Sequence, residues 1–139
     1  MKQGHILQVE DNPDDVRLLA LAFDISRIKN ELIVVTDGKE ALDYLFYRGR
    51  YVERNPEDKP SLILLDLKIP LIDGLEVLKE IRSNEDTKSI PVIVLTSSDE
   101  PRDHEESRKL GANAYICKPS GLKQLTEMLG QIESEWLID

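Results

Sequence analysis

The 139-residue sequence has almost nothing that could cross-link the chain, because it contains one cysteine, Cys117, and two histidines. A single cysteine cannot form an internal disulfide, and a lone cysteine is usually a small buried residue in a reducing compartment. The two histidines, His5 and His104, are far apart and lack ligand spacing, so we assign them no metal or phosphotransfer role. No apolar run approaches the ~20 residues of a membrane-spanning helix, and no signal peptide is visible. These absences predict a cytoplasmic protein without a membrane partner.

Positive charge is also scarce. The chain has 18 basic and 27 acidic residues, a net charge of −9. Such a balance argues against a nucleic-acid-binding surface and favours cationic partners or metal ions. The length fits one domain, residues 1–139, which is large enough to bury a core without metal or disulfide staples. We expect these 139 residues to contain no additional output domain.

Short runs rich in Val, Ile and Leu alternate with longer segments of helical period along the whole chain. This alternation is typical of repeated strand–helix units with a parallel sheet. It predicts an α/β fold with a doubly wound, five-stranded parallel sheet. The five strands are predicted at Ile6–Val9, Leu32–Val35, Leu62–Leu65, Val92–Leu95 and Ala114–Cys117.

The first three helices have clear start signals. Asn12 followed by Pro13 predicts the cap and first turn of helix one, and Asp37 and Asp73, each followed by glycine, predict the caps of helices two and three. The expected inward stripe of helix one is Val16, Leu19, Ala20 and Phe23.

The last two helices are less ordinary. The segment 99–110 contains no large apolar residue before Leu110, so helix four should be weakly anchored, and Gly111 suits its carboxyl end. The apolar stripe of helix five is by default the core-facing side of an amphipathic helix, but it has more apolar surface than one helix face needs, which indicates an exposed interface patch. That patch is predicted to contain Met128, Trp136, Leu137 and Ile138.

Polar residues follow four of the predicted strands. Glu10 and Asp11 follow strand one, Asp66 follows strand three, Thr96 follows strand four and Lys118 follows strand five. Because the carboxyl ends of parallel strands share one edge, where such folds bind ligands, these side chains should form one site. Asp66 is the most informative of them, because a carboxylate next to a buried run must be paired, solvated or metal-bound.

Three carboxylates at one edge repel one another, and a hard divalent cation neutralises them with oxygen ligands. Mg²⁺ fits best, and it also holds phosphoryl groups in transfer reactions. A carboxylate can itself be the nucleophile and form an aspartyl phosphate. Lys118 would then supply the counter-charge and Thr96 a directional hydrogen bond.

Simpler interpretations exist for each of these residues. Asp66 alone could cap the following turn, Thr96 could be a β-branched residue that ends a strand, and Tyr115 could be a half-buried strand aromatic. The capping interpretation of Asp66 loses weight beside Glu10, Asp11 and Lys118. For Asp37 and Asp73 the capping role is preferred.

Four sequence motifs, each after its own strand, resemble the receiver domains of two-component response regulators, whose fold is the flavodoxin-like (βα)₅ arrangement. They are Glu10-Asp11-Asn12, the run from Asp66 to Gly74, Thr96-Ser97-Ser98, and the run from Gly111 to Pro119. The resemblance covers essentially the whole chain. Within the family, the chain is most similar to small stand-alone receivers that serve phytochrome-type histidine kinases.

The resemblance implies a role for each matching residue. Asp66 matches the phospho-accepting aspartate and also a metal ligand, Asp11 a direct Mg²⁺ ligand, Glu10 a ligand acting through water, and the Lys68 backbone carbonyl the third protein ligand. The switch residues implied are Thr96, Tyr115 and Lys118. Positions Lys68 and Ser98 tune how fast the phosphoryl group is lost, and the peptide bond before Pro119 is expected to be cis.

The sequence therefore predicts a phosphorylation-activated signalling switch rather than a conventional enzyme. A histidine kinase would phosphorylate Asp66 with Mg²⁺, and the surface formed by helix four, strand five and helix five would change and mediate a homodimer. The downstream partner, an effector or a histidine phosphotransfer protein, stays open. The chain could also be a phosphate sink or a relay intermediate, or a phosphorylation-independent scaffold. A Mg²⁺-dependent aspartyl-phosphate phosphatase is disfavoured, because its general-acid aspartate would fall at Lys68.

Overall fold

The computed structural model of this chain describes residues 4–137, which form a parallel five-stranded sheet with helices on both faces. The strand order is β2-β1-β3-β4-β5, and every neighbouring pair is parallel, so the predicted doubly wound α/β fold is confirmed. The strands are β1 (Ile6–Val9), β2 (Leu32–Val35), β3 (Leu62–Leu65), β4 (Val92–Thr96) and β5 (Ala114–Cys117). The helices are α1 (Pro13–Ser26), α2 (Gly38–Leu45), α3 (Gly74–Ser83), α4 (Pro101–Lys109) and α5 (Leu122–Ile132). In the described part of the chain, no helix is both long and apolar enough to cross a membrane.

Alternate residues of the central strands enter two separate apolar cores. On β1, Leu7 and Val9 face the core formed with α2 and α3, whereas Ile6 faces the core formed with α1 and α5. This division follows from the two-residue period of a strand, which sends successive side chains to opposite faces. Both faces are covered, and β1, β3 and β4 consist almost wholly of buried residues.

Helix α1 begins as predicted, with the Asn12 side chain accepting a hydrogen bond from the Asp14 amide at 2.9 Å. Its buried face differs from the predicted stripe, because Ala22 is buried and Ala20 is exposed. The buried residues Leu19, Ala22 and Phe23 still have helical spacing. The helix is therefore rotated towards α5 relative to the sequence-based expectation.

Helix α4 is anchored unusually, as its sequence indicates. It spans Pro101–Lys109, and its buried residues are Asp103 and Ser107 rather than apolar ones. Gly111 follows its carboxyl end with a φ of 100°, a left-handed conformation that glycine adopts without a Cβ clash.

The predicted exposed patch on the last helix is wrong. Met128 and Leu137 are buried, at 8% and 5% exposure, and Trp136 packs partly buried against the same core; Ile138 lies outside the described residues. Met128 lies within α5 itself, on the face that packs into this core with Leu125 and Leu129. For Trp136 and Leu137 the reason is local, since α5 continues into a π-helical turn over Glu133–Leu137. The wider turn changes the helical phase and returns Trp136 and Leu137 to the core.

The expectation that Cys117 is buried is also wrong, because its side chain is exposed. Strand β5 is at the edge of the sheet and is only partly covered, with no fully buried residue. Cys117 is the last residue of this strand and the one exposed residue in it.

Candidate phosphoryl-transfer site

Strand register brings the predicted site residues to one edge of the sheet. Val9 pairs with Leu65, so the residues that follow them, Glu10 and Asp66, emerge side by side. On the other side of β3, Thr96 ends β4 opposite Cys117, which places Lys118 immediately beyond it. Four sequence-distant segments thus meet at the carboxyl ends of their strands, as the parallel topology predicts.

The carboxylate of Asp66 is buried, at 4% exposure, and both of its oxygens have partners. Oδ1 accepts hydrogen bonds from the Thr96 hydroxyl at 2.7 Å and from the Lys68 amide at 3.0 Å. Oδ2 accepts one from the Lys118 ammonium at 2.8 Å. A buried charge is tolerated when it is paired and hydrogen-bonded in this way.

Lys118 neutralises more than one carboxylate. Its ammonium lies 2.7 Å from Glu10, 2.8 Å from Asp15 and 2.8 Å from Asp66. Burial lowers the pKa of Lys118, but the hydrogen bonds to these three carboxylates raise the pKa by more than burial lowers it. The pKa of Lys118 is therefore well above its ordinary value. Lys118 therefore carries a permanent positive charge beside the candidate acceptor.

Burial disfavours the ionised form of Glu10. It is 3% exposed, and burial raises its pKa, an effect that the hydrogen bonds from Lys118 and the Asn12 amide reduce and the charge of Asp66 reinforces. An additional positive charge at this position would stabilise its ionised form.

The three predicted acidic residues have the spacing of a cation site. Glu10, Asp11 and Asp66 each offer one carboxylate oxygen, and these oxygens lie within 4.8 Å of one another. Two ligands on opposite sides of a Mg²⁺ ion are about 4.2 Å apart, since each lies about 2.1 Å from the metal. Small side-chain adjustments would close the cluster around such an ion, and its all-oxygen donors suit a hard divalent cation.

Tyr115 and Ser98 lie next to this centre rather than in it. The Tyr115 hydroxyl donates to the Ser98 carbonyl at 2.8 Å, and the Tyr115 ring stacks on His104 with centroids 4.6 Å apart.

The prediction of a cis peptide bond before Pro119 is wrong for this structure, because every peptide bond in residues 4–137 is trans. The trans form is the intrinsically preferred one even before proline.

Two acidic residues of this region were missed in the sequence. Asp15 contacts Lys118, and Asp103 accepts hydrogen bonds from the Ser98 hydroxyl at 2.6 Å and the Lys68 ammonium at 3.1 Å. Asp15 had a usable signal, since it lies in the first turn of α1, just after Glu10 and Asp11. Asp103 and Ser107 are four residues apart and therefore lie on the same face of α4. Because the helix has no apolar residues, this pair could have indicated that its inward face is polar.

Comparison with known proteins agrees with this arrangement. Residues 6–130 match the family model described as the response regulator receiver domain. The chain therefore belongs to the response regulator receiver family of two-component signalling, whose members are regulatory domains rather than conventional enzymes.

Several relatives in sequence and structure are response regulators of similar length. Response regulator Rcp1 of Synechocystis sp. is 46% identical over 132 residues, which cover 95% of this chain and 88% of Rcp1. The crystal structure of the phosphorylated cyanobacterial phytochrome response regulator RcpA superposes with a TM-score of 0.88 at 42% identity, covering 97% of this chain and 94% of RcpA. The Mn²⁺-bound form of Rcp1 gives a TM-score of 0.86 at 44% identity, covering 96% and 94%.

Proposed function

We propose that this chain is a phosphorylation-controlled switch whose phosphoryl acceptor is Asp66. The observation that carries the proposal is the buried Asp66 carboxylate with Thr96 and Lys118 on its two oxygens and Glu10 and Asp11 within reach. One carboxylate oxygen would bond to phosphorus as the phosphorus–nitrogen bond of a kinase phosphohistidine breaks. Later attack by water would release inorganic phosphate and restore the carboxylate, so the protein resets without an external substrate.

The chain's own residues supply most of the stabilisation that this transfer needs. Lys118 places a charged donor beside Asp66 Oδ2, and Thr96 places a hydroxyl beside Oδ1, so both can follow the charge onto the phosphoryl oxygens. Lys118 already binds three carboxylates, which fixes its position before the transfer.

We assign the cation site to Glu10, Asp11 and Asp66, with the Lys68 carbonyl as a further ligand and Glu10 acting through water. Mg²⁺ held there would neutralise phosphoryl oxygens during the transfer. The raised pKa of Glu10 and the all-oxygen cluster support a divalent cation, as does the Mn²⁺-bound form of Rcp1.

Phosphorylation would act on a pathway of contacts that runs from Asp66 to the α4–β5–α5 surface. Thr96 already donates to Asp66, and Tyr115 already donates to the Ser98 carbonyl two residues further along. The new dianion would favour the arrangement in which Thr96 is held and Tyr115 is turned inward, which is a shift in population between existing states.

A histidine kinase is the proposed phosphoryl donor, and the similarity to RcpA, a cyanobacterial phytochrome response regulator, supports a kinase of the phytochrome class. Homodimerisation through α4, β5 and α5 stays a prediction from the family resemblance, because Met128 and Leu137 proved to be buried rather than available for an interface. The cytoplasmic location, the single-domain organisation and the choice between effector binding, relay and phosphate sink also stay predictions.

The decisive experiment incubates the protein with Mg²⁺ and acetyl phosphate and measures its intact mass. The wild type should gain one phosphoryl group, and Asp66→Asn should gain none. Asp73→Asn is a matched control, because Asp73 caps α3 through the Glu76 amide and should leave phosphorylation intact. No gain on the wild type, or an equal gain on Asp66→Asn, would show that the proposal is wrong.

The same preparation separates the two alternatives outside the switch class. Steady turnover of small phosphoesters would favour the phosphatase. Binding of a downstream partner that is unchanged by Asp66→Asn would favour a scaffold.

A further inference from the structure

Helix α4 is held on the molecule by polar contacts. Of its two buried residues, Ser107 donates its hydroxyl to the His104 carbonyl within the same helix, at 2.9 Å. Asp103 instead bonds outside the helix, to Ser98 and Lys68. Apart from the stacking of His104 on Tyr115, the position of α4 therefore depends on the two segments that contain those partners.

Both segments border the candidate site. Lys68 lies in the β3–α3 loop and Ser98 in the β4–α4 loop, and a single oxygen, Asp103 Oδ2, accepts from the Ser98 hydroxyl at 2.6 Å and from the Lys68 ammonium at 3.1 Å. One carboxylate thus joins α4 to the two loops that follow the central strands.

The same two residues also connect directly back to Asp66. The Lys68 amide donates to Asp66 Oδ1 at 3.0 Å. The Ser98 amide donates to Thr96 Oγ1 at 3.4 Å, and the Thr96 hydroxyl donates to the same Asp66 oxygen at 2.7 Å. The contacts close a ring of five residues: Asp66, Lys68, Asp103, Ser98 and Thr96.

We propose that Asp103 is a positioning residue that holds the Lys68 ammonium away from the acceptor and links the acceptor to α4. This inference rests on the proposed function, because it concerns the fate of a phosphoryl group on Asp66. The link itself exists in the unphosphorylated protein and can be tested there.

The electrostatics of the pair fit this role. The hydrogen bond from Ser98 lowers the pKa of Asp103, and the hydrogen bond to Asp103 raises the pKa of Lys68, so both groups are charged at neutral pH. The Lys68 side chain is 57% exposed and long enough to exchange partners. A phosphoryl group carries about two negative charges at neutral pH, so on Asp66 it would compete with Asp103 for this ammonium.

Asp103 therefore limits how long Lys68 pairs with the phosphoryl group. When the Asp103 charge is removed, Lys68 is free to stay on the phosphoryl oxygens, where it shields the phosphorus from water. The phosphorylated state should then last longer, and this effect should require Lys68.

The test is a double-mutant cycle on Asp103→Asn and Lys68→Ala. Each protein is phosphorylated with acetyl phosphate and Mg²⁺, the acetyl phosphate is removed, and the loss of the phosphoryl group is followed by intact mass. Asp103→Asn keeps an oxygen that accepts from Ser98 but loses the ion pair. We expect its phosphorylated half-life to rise about two- to five-fold relative to wild type, the range that the strength of an exposed ion pair allows. The double variant should have the same half-life as Lys68→Ala, whatever that half-life is.

Glu105→Gln is the matched control. It removes the same charge from the same helix, but Glu105 pairs only with Arg108 and Lys109 among the described residues. Its phosphorylated half-life should be unchanged. An unchanged half-life in Asp103→Asn, an equal rise when Asp103→Asn is added to Lys68→Ala, or an equal rise in Glu105→Gln would each overturn the proposal.

A second measurement does not need phosphorylation. Hydrogen exchange of the amides in residues 101–109 should be faster in unphosphorylated Asp103→Ala than in wild type, and unchanged in Glu105→Gln. Equal exchange in Asp103→Ala and wild type would refute the link to α4. If the wild type takes up no phosphoryl group at all, the proposed function fails, and hydrogen exchange alone decides whether Asp103 anchors α4.

Discussion

The ammonium of Lys118 lies 2.8 Å from the carboxylate of Asp66, although the two residues are 52 positions apart in the chain. The same ammonium also contacts Glu10, so it compensates two buried acidic groups at once. Both carboxylates depend on this one cation for their pairing. The contact is therefore structural as well as chemical.

Lys118→Met should lower the free energy of unfolding in metal-free buffer. The substitution leaves Glu10 and Asp66 buried without their positive partner, and we expect a loss of about 2 kcal/mol, less than the ~3–5 kcal/mol of a fully buried pair because Lys118 keeps some solvent contact. Urea denaturation with EDTA measures it. Lys39→Met is the control, since Lys39 forms an exposed pair with Asp43 and its loss should cost well under about 1 kcal/mol. Equal effects of the two substitutions would contradict the role of Lys118.

Asp11→Asn should weaken Mg²⁺ binding without weakening the fold. Asp11 is exposed, so its charge contributes little to stability, whereas a lost carboxylate ligand should cost at least about ten-fold in cation affinity. Calorimetric titration with Mg²⁺ tests this. Asp14→Asn removes an equally exposed charge from the first turn of α1 that lies outside the cluster, and it should bind normally. Unchanged affinity in Asp11→Asn would remove Asp11 from the metal site.

Gly74→Ala should destabilise the protein by about 1–3 kcal/mol and slow phosphorylation of Asp66. A Cβ at Gly74 would lie 2.5 Å from the Asp66 carbonyl oxygen, so the backbone carrying the acceptor would have to move. Gly130→Ala is the opposite case, because nothing lies within 4 Å of a Cβ there and the site is helical. It should stabilise by about 0.5–1 kcal/mol. Thermal unfolding of both variants checks the pair, and a harmless Gly74→Ala would disprove the close approach.

His5 should make stability depend on pH, far from the phosphoryl-transfer site. The ring is 5% exposed, its Nε2 lies 2.7 Å from the Tyr44 hydroxyl, and burial lowers its pKa below 6.5 in the folded protein. The unfolded chain therefore takes up a proton before the folded one does. This contribution to stability is fully present above pH 6.5 and is lost as the pH falls from there towards the lowered pKa of the folded state, with a slope of at most about 1.4 kcal/mol per pH unit.

Urea denaturation between pH 7.5 and 5 measures this loss. His5→Gln should flatten the dependence in that window, whereas His104→Gln should not, because His104 is exposed. Identical pH profiles for wild type and His5→Gln would exclude His5 as the source.

The strands, and the polar residues that follow them, were the most predictable features. Each strand is a short, continuous apolar run that needs two covered faces, and such a run has few other ways to fold. The convergence of Glu10, Asp66, Thr96 and Lys118 followed from the same pattern, because the ends of parallel strands share an edge. By contrast, Ala20 was predicted on the buried face of α1, where Ala22 lies instead. The two alanines carry the same side chain, and only packing against α5 distinguishes them.

The sequence by itself determined that a buried acidic residue would meet a lysine, a hydroxyl and two further carboxylates, because hydrophobic period and strand direction are local properties. Only the tertiary structure decided that Met128 and Leu137 are buried, that Cys117 is exposed at an edge strand, and that Asp103 reaches both Lys68 and Ser98. The difference has a physical cause. Those outcomes depend on how α5 and the turn after it pack against the core, on which strand is at the edge of the sheet, and on which loop residues lie beside the Asp103 side chain, none of which a local pattern specifies.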